Sequence, residues 1–482
     1  MACVLKSPFG RSPFQAWTSR SRQEQVNDSV KALAGSFRDP SGFVSIRDGV
    51  VYRHVNECYR LHYEHFTRSG LAEDLMGSGL LIPSEEIPTA STGQAPYKVL
   101  RTERIPFISY PYEWSFSQLR DAALLTLRVQ KRALKFGMSL KDASAYNVQF
   151  YRGRAVFIDT LSFEVYVEGR PWVAYRQFCE HFLAPLALMA AKDIRLSQLF
   201  RVFMDGIPLD LASKLLPLRS RLKPSLAMHV HLHARAQRRY ADRRAVKTTR
   251  QLSRAALLGL LDNLAGSVRA LHWAPVGDWS EYYSDTNYTQ EAIAEKERLV
   301  ASMLERLGPS TVWDLGANTG RFSRLASSKG ILTMAFDADP GAVEKNYLAN
   351  GSTPDGNLLP LVVDFTNPSP NMGWAGAERL SLQARGPADV ALALALVHHL
   401  AIGNNVPFLQ IAAWLSTLAK NVVIEFVPKS DSQVQRMLAS REDIFPDYSS
   451  SAFEDAFGRH FAMNGRADLG GSGRVLYEFR RS

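Results

Sequence analysis

The sequence predicts an α/β chain, with a C-terminal parallel sheet preceded by an α+β domain. Three observations predict it. After Thr289, apolar strand-like runs alternate with helical stretches to the end of the chain, the pattern of a parallel sheet with helical crossovers. Successive runs place polar residues at their carboxyl ends: Asp314, Asp337, Asp364, then His398 and His399. The first half lacks that alternation and combines a β-branched hairpin with long apolar helices. With 482 residues, of which 46% are apolar and 22% charged, the chain is long enough for two or three domains with a substantial core.

The elements follow in order. Residues 1–45 are rich in Ser, Arg, Gly and Pro, and are expected to form a solvated, partly disordered tail. "VSIRDGVVYRHVN" from Val44 reads as a hairpin turning at Asp48-Gly49. A helix is expected from Glu57 to about Met76, and strand over 97–110 up to Pro111. Ser115 or Ser117 caps the next helix, "QLRDAALLTLRVQKRALKFG", and Gly137 stops it. Apolar helices fill roughly 172–218. The expected partition is a tail (1–45), an α+β domain (46–218), a basic helical connector (219–285) and an α/β domain (286–482).

Charge and cysteine usage exclude several classes. Formal net charge is +10, yet it is confined to Arg219–Arg254, which holds eleven basic residues and one acid, Asp242. The rest is balanced, so the surface as a whole is not built for polyanions. Three cysteines without short pairing, Cys3, Cys58 and Cys179, exclude a disulfide scaffold or a zinc ribbon and point to a reducing compartment. No apolar run approaches the roughly 20 residues of a membrane helix. A cytoplasmic location is the expectation, although the acid-free start before Glu24 is faintly transit-like.

The strongest chemical signal is "TVWDLGANTGRFSRLASS" (311–328): a strand ending in Asp314, a glycine-rich turn, then a helix. Gly316 and Gly320 allow close backbone approach to a ligand, and Asn318 tolerates the left-handed conformation. The spacing is not Gly-x-Gly-x-x-Gly, and no Gly-Lys-Ser/Thr follows, which argues against a dinucleotide fold and a P-loop. "ILTMAFDADP" ends a second strand in Asp337, placed to accept from ribose hydroxyls. "LLPLVVDF" ends a third in Asp364, suited to an adenine amino group. "ADVALALALVHHL" carries His398 and His399 to the edge, "NVVIEFVPK" carries Glu425, and "GSGRVLYEFRR" closes the sheet antiparallel.

This ordered set resembles the class I S-adenosylmethionine-dependent methyltransferases over roughly 286–482. The resemblance implies a Rossmann-like seven-stranded sheet and S-adenosylmethionine as cofactor. It assigns Asp314, Gly316, Asn318 and Gly320 to the methionine side, Asp337 to the ribose and Asp364 to the adenine. No metal is implied. Methyl transfer needs mostly in-line positioning, with a base where the acceptor is a hydroxyl or neutral nitrogen. His398 and His399 are the candidate catalytic residues; the competing reading packs one beneath the cofactor and leaves the other at the strand edge. Glu425 orients an acceptor or pairs with a cation. Trp279, Tyr282, Tyr283 and Tyr288 cover the cofactor or staple the following helix. The stretch from Glu425 to Tyr448 is expected to be an exposed acceptor-side loop.

"SLKDASAYNVQFYRGRAVFIDTLSFE" (139–164) is similar to the catalytic loop of protein and aminoglycoside kinases, through Asp142, Asn147 and Asp159. That resemblance implies a base and two metal ligands. No glycine-rich phosphate loop precedes it, and Asp159-Thr-Leu replaces Asp-Phe-Gly. A degenerate kinase-like lobe, an active phosphotransferase and a plain hairpin with solvated acids all remain open.

In the basic segment, Arg235, Arg239, Arg243 and Lys247 recur every four residues, a like-charged helical face that favours an anionic counterpart or simple solvation. His229, His231 and His233 alternate as on one side of a strand, a spacing compatible with metal only if an acid or cysteine joins them. Three functions follow: a methyltransferase for a small-molecule or glycan-type acceptor, an RNA-modifying methyltransferase using the basic connector, or a non-catalytic kinase-like scaffold.

Overall fold

The computed structural model describes residues 32–88, 96–233, 252–274, 290–352, 356–439, 442–470 and 472–482. The first thirty-one residues of the expected tail, the arginines 235, 239 and 243, and the aromatics Trp279, Tyr282, Tyr283 and Tyr288 lie outside them.

The expected hairpin is present. β1 (Gly42–Arg47) pairs antiparallel with β2 (Val50–Val55). Asp48 and Gly49 both have positive φ (50° and 78°), which a two-residue hairpin loop requires to match strand twist. β3 (Ser84–Ile87) and β4 (Lys98–Thr102) complete a four-stranded antiparallel sheet in the order β1-β2-β4-β3. The strand expected over 97–110 therefore stops at Thr102, where pairing with β2 and β3 runs out. Residues beyond it leave the sheet, and Phe107 turns toward the C-terminal half instead. The helix expected from Glu57 to Met76 is two helices, Arg60–Arg68 and Leu71–Gly77, broken at Gly70 with φ of 82°. Two further pairs follow: β5 (Met138–Leu140) with β8 (Phe163–Val165), and β6 (Val148–Tyr151) with β7 (Arg154–Phe157).

Ser115 caps the long helix Phe116–Lys135, through a reciprocal box in which Gln118 Oε1 accepts from Ser115 N at 2.9 Å. Ser117 is not the cap. Its N–H and hydroxyl both donate to Glu344 (3.0 and 2.6 Å), on the helix Pro340–Ser352 of the C-terminal half.

That half is one seven-stranded sheet: β9 (Thr311–Leu315), β10 (Leu332–Asp337), β11 (Leu358–Val362), β12 (Ala388–Ala393), β13 (Ala419–Phe426), β14 (Phe461–Leu469) and β15 (Arg474–Arg481). Their order is β11-β10-β9-β12-β13-β15-β14. β15 runs antiparallel to both neighbours, while β9 through β13 are parallel. From the central β9, the chain crosses to β10 on one side and later to β12 on the other, which opens a crevice at the carboxyl ends of the strands. This is the class I S-adenosylmethionine-dependent methyltransferase fold.

The crossover from β11 to β12 contains only two single-turn helices, Trp374–Gly376 and Gln383–Arg385. The N-terminal half covers the sheet there. Phe107 meets Trp313 and Phe336 edge-on, with ring centroids 5.7 and 5.9 Å apart. Gln118 Nε2 donates to Pro360 O on the edge strand β11 (3.0 Å), so a helix terminus guards an otherwise open edge. Apolar burial runs continuously from Phe66 to Phe479 across both halves.

Candidate functional site

The glycine-rich turn after β9 is folded back against β10. The N–H groups of Gly316 and Ala317 both donate to Phe336 O (2.9 and 2.8 Å). Asn318 takes the left-handed conformation (φ 49°), as its residue type allows. Its N–H donates to Asp337 Oδ2 at 2.7 Å, tying the turn to the end of β10. Gly320 is required for a packing reason. At φ of 83°, an added Cβ would lie 2.4 Å from the buried Asn346 amide, which itself accepts from Arg324 Nη2 at 2.8 Å. A Cβ at Gly316 would meet nothing nearer than Leu396, at 3.5 Å.

The acids fall at successive strand ends. Asp314 is buried and accepts from Ser323 Oγ (2.6 Å); burial pushes its carboxyl up to about 6, and the nearby Asp337 charge adds to the rise. Asp337 is likewise raised to about 6 by burial, although the N–H groups of Asp339 and Asn318 favour its charged form. Asp364 is exposed, and its Oδ1 closes a local turn by accepting from Thr366 N and Oγ1 (2.8 and 2.6 Å). Sequence reasoning passed over Asp339, two residues beyond Asp337. Its Oδ1 accepts from Gly341 N at 2.8 Å, while its buried Oδ2 has no partner. The second acid of "FDAD" was the signal.

His398 and His399 do not extend a strand. β12 ends at Ala393, Ala395 has φ of 52°, and His399 opens the helical turn His399–Gly403. Both histidines still reach the carboxyl edge, with ring centroids 4.2 Å apart. His398 is fully buried and neither ring nitrogen has a partner. Burial first, then His399 and the cations Arg474 and Lys296, hold it well below the usual imidazole value, against an opposing pull from Glu425. His399 is half-buried and lowered by burial and by Arg474.

Glu425 is paired. Its Oε2 accepts from Lys296 Nζ at 2.6 Å and its Oε1 from Arg474 Nη1 at 3.2 Å, while Arg474 Nε donates to Asp431 at 2.8 Å. Every side chain in this row is at most 6% exposed. The sequence held a signal for Lys296. On the helix Gln290–Leu307 it sits three residues after the buried Ile293 and four before Val300, a core position occupied by a charge. The loop after β13 is less open than expected, because Tyr448 is buried, stacks on Phe426 and donates to Val427 O at 2.8 Å.

The other candidates are placed as follows. Ser162 Oγ joins Asn147 to Asp159, accepting from Asn147 Nδ2 at 3.1 Å and donating to Asp159. Asp159 Oδ1 also accepts from Arg53 Nη1 (2.5 Å) and Leu161 N (3.2 Å). Asp142 accepts from Ser144 N and Gln177 Nε2 (2.9 and 2.8 Å) and is raised by burial and by the Asp159 charge. The alternating histidines lie on and just beyond the helical turn Ala227–Leu232, not on a strand, and His229 and His233 both pack against Tyr175. His229 bonds Tyr175 and Asn263, whereas His231 bonds Ser213 and Ser220. Among the described residues no group of three or more His, Cys, Asp or Glu side chains is arranged to hold a metal ion, and no helix is long and apolar enough to cross a membrane.

No protein-family model matches the chain. Among solved structures, magnesium protoporphyrin IX methyltransferase (ChlM) from Synechocystis PCC 6803, with bound SAH, is 16% identical, covering 42% of this chain and 93% of its own (TM-score 0.31). The N-methyltransferase NodS from Bradyrhizobium japonicum WM9 is 10% identical, covering 40% of this chain and 97% of its own (TM-score 0.30). The bifunctional kinase-methyltransferase WbdD is 18% identical over 42% of this chain and 41% of its own (TM-score 0.29). At such distances the fold rests on the strand order itself. The nodulation protein NoeA of Rhizobium meliloti (strain 1021) is far nearer, 37% identical over 461 residues that span 93% of this chain and 96% of that protein. Conserving more than a third of its residues along almost its entire length, the chain belongs to the family of NoeA.

Proposed function

We propose that the chain is a methyltransferase that binds S-adenosylmethionine at the carboxyl edge of its C-terminal sheet. The observation that carries this reading is the pairing of Asp337 with the glycine turn at the switch point, beside an unpartnered Asp339 oxygen. Residues of this kind fit a nucleoside with a polar tail. In this reading the Gly316–Gly320 turn meets the methionine end, Asp337 accepts from ribose hydroxyls with Asp339 beside it, and Asp364 faces the adenine. Asp314 stands beneath the turn, fixed by Ser323.

Bound S-adenosylmethionine supplies a sulfonium methyl that is already electrophilic. The protein's task is then to align a nucleophile and take up its hydrogen bond. His398, neutral and unpartnered, accepts that bond from an acceptor O–H or N–H, with half-buried His399 at the outer side. The acceptor in this reading is a small-molecule or glycan-type substrate. In the N-terminal half, Arg53, Ser162 and a backbone N–H already occupy Asp159, which supports a presenting role over phosphotransfer.

Calorimetry tests the reading: the wild-type chain is expected to bind S-adenosylmethionine and Asp337→Ala to bind it more weakly. Absence of binding to the wild type, or binding untouched by the substitution, removes the proposal. Labelled S-adenosylmethionine offered to fractionated cell extract then identifies the class of acceptor.

A further inference from the structure

In the N-terminal half, the stretch Pro217–Pro224 inverts the usual pattern of burial. Its centre is the single helical turn Leu218–Leu222. Leu216 and Leu226, on either side, are buried in the shared core, and Ser220 between them is 2% exposed. The Ser220 hydroxyl bonds the buried His231 ring at 2.8 Å, and Ser220 N donates to Pro217 O at 2.8 Å. With that serine turned inward, Leu218 and Leu222 are turned outward, 74% and 85% exposed. Arg219, Arg221 and Lys223 are exposed beside them. Among the described residues no acid pairs with any of these three cations, whereas Lys214, just upstream, reaches Asp210 at 3.7 Å. The sequence continues the same charge, since residues 234–251 add seven basic side chains and one acid, Asp242.

A lone surface leucine needs no explanation. Two nearly bare leucines on one turn, interleaved with cations and held out by a buried serine, do need one. Leucines and cations make opposite demands on a partner. A nucleic-acid backbone would neutralise the cations and leave the leucines in water. An apolar groove would take the leucines and strip water from unpaired guanidinium groups. The face of an anionic bilayer accepts both together, with apolar side chains at the acyl boundary and long cationic stems reaching the phosphates. We propose that the turn Leu218–Leu222, with Lys223, is a membrane-docking surface: the two leucines enter the interfacial layer of an anionic bilayer, and Arg219, Arg221 and Lys223 meet its lipid phosphates. The contact is peripheral, since a single turn lies on a bilayer and does not cross it. It stands independently of the methyltransferase reading.

The test is cosedimentation of the full chain, at about 0.1 M salt, with vesicles of phosphatidylcholine alone or mixed with phosphatidylserine. The wild type is expected on the mixed vesicles and not on the neutral ones. Arg219→Gln combined with Arg221→Gln and Lys223→Gln should weaken partitioning roughly 100-fold, at about fivefold for each cation. Leu218→Ser combined with Leu222→Ser should weaken it roughly tenfold or more. Both sets change exposed side chains, so thermal melting should stay that of the wild type. Insertion is read separately: Leu222→Trp should show quenching by lipids brominated along the acyl chain, beyond that of the wild type. A wild type that stays off the mixed vesicles overturns the proposal. So does binding that the paired leucine change leaves intact, or an introduced indole that brominated lipid does not quench. Should the serine pair fail to fold, the quenching measurement decides. Single-stranded RNA supplies the competing outcome. If RNA binds, the cation variant loses it and mixed vesicles are not bound, the surface serves a nucleic acid and the proposal falls.

Discussion

Two buried ionic groups in this molecule have different neighbours. At the junction of the two halves, Arg385 pairs with Glu113, their side chains 3% and 1% exposed. Glu113 also accepts from Tyr110 N (3.0 Å) and Ser369 Oγ (2.6 Å). Arg385 also donates to Ile108 O (2.8 Å) and lies 4.7 and 4.9 Å from the Phe107 and Tyr110 rings. At the carboxyl edge, the row from Lys296 to Asp431 is as deeply buried, yet His398 and Asp339, which follow other strands of the same edge, retain polar atoms without partners. The Arg385–Glu113 pair itself is satisfied within the chain, which marks that pair as structural. The edge is incomplete, and incompleteness in an interior is what a ligand site requires.

The contrast can be broken most directly at the junction. Arg385→Met should strand a buried carboxylate and cost about 3–5 kcal/mol of stability by denaturant unfolding. Phe107→Ala should cost a similar or slightly smaller amount, about 3–5 kcal/mol, because the ring fills the space a crossover helix would take against Trp313 and Phe336. If either change leaves the melt untouched, the two halves are not held together as described.

At the edge the effects should appear in binding rather than in unfolding. Asp337→Ala should weaken S-adenosylmethionine by the loss of charged hydrogen bonds, about 1.5–3 kcal/mol or roughly 10- to 150-fold, by calorimetry. The same carboxylate gives a pH dependence. Its value is raised to about 6, so the accepting, charged form is present above that pH and disappears as pH falls through it. Affinity should therefore be full near pH 7.5 and decline below about 6, and a profile flat to pH 5 would contradict the ribose role. Asp364→Ala should do least, a few-fold at most, since that side chain is exposed and one of its oxygens already closes a turn.

Much of the C-terminal sheet was legible because its strands are short apolar runs that end in polar residues, a pattern local enough to read from sequence. The kinase-like trio was legible as a spacing, but its condition was not. Nothing near Asp159 in sequence announces Arg53, which reaches it from a strand a hundred residues earlier. Alternation of His229, His231 and His233 suggested a strand, but the segment is a helical turn packed near the helix Arg254–Arg269, whose Asn263 bonds His229. Ser115 and Ser117 were equivalent as caps until one of them found Glu344 across the junction.

By itself the sequence determined the order of strands and helices after Thr289, the glycine turn, and the acids near the ends of β9 and β10 and just after β11. These depend on periodicity and on residues a few positions apart. Tertiary structure alone decided that the N-terminal half would stand in for a missing crossover helix, and that Lys296 and Arg474 would meet over Glu425. Such pairings join segments 49 to 129 residues apart. No local propensity selects among so many distant charges; only the packing that brings the elements together, and the penalty on any charge left alone inside, does so.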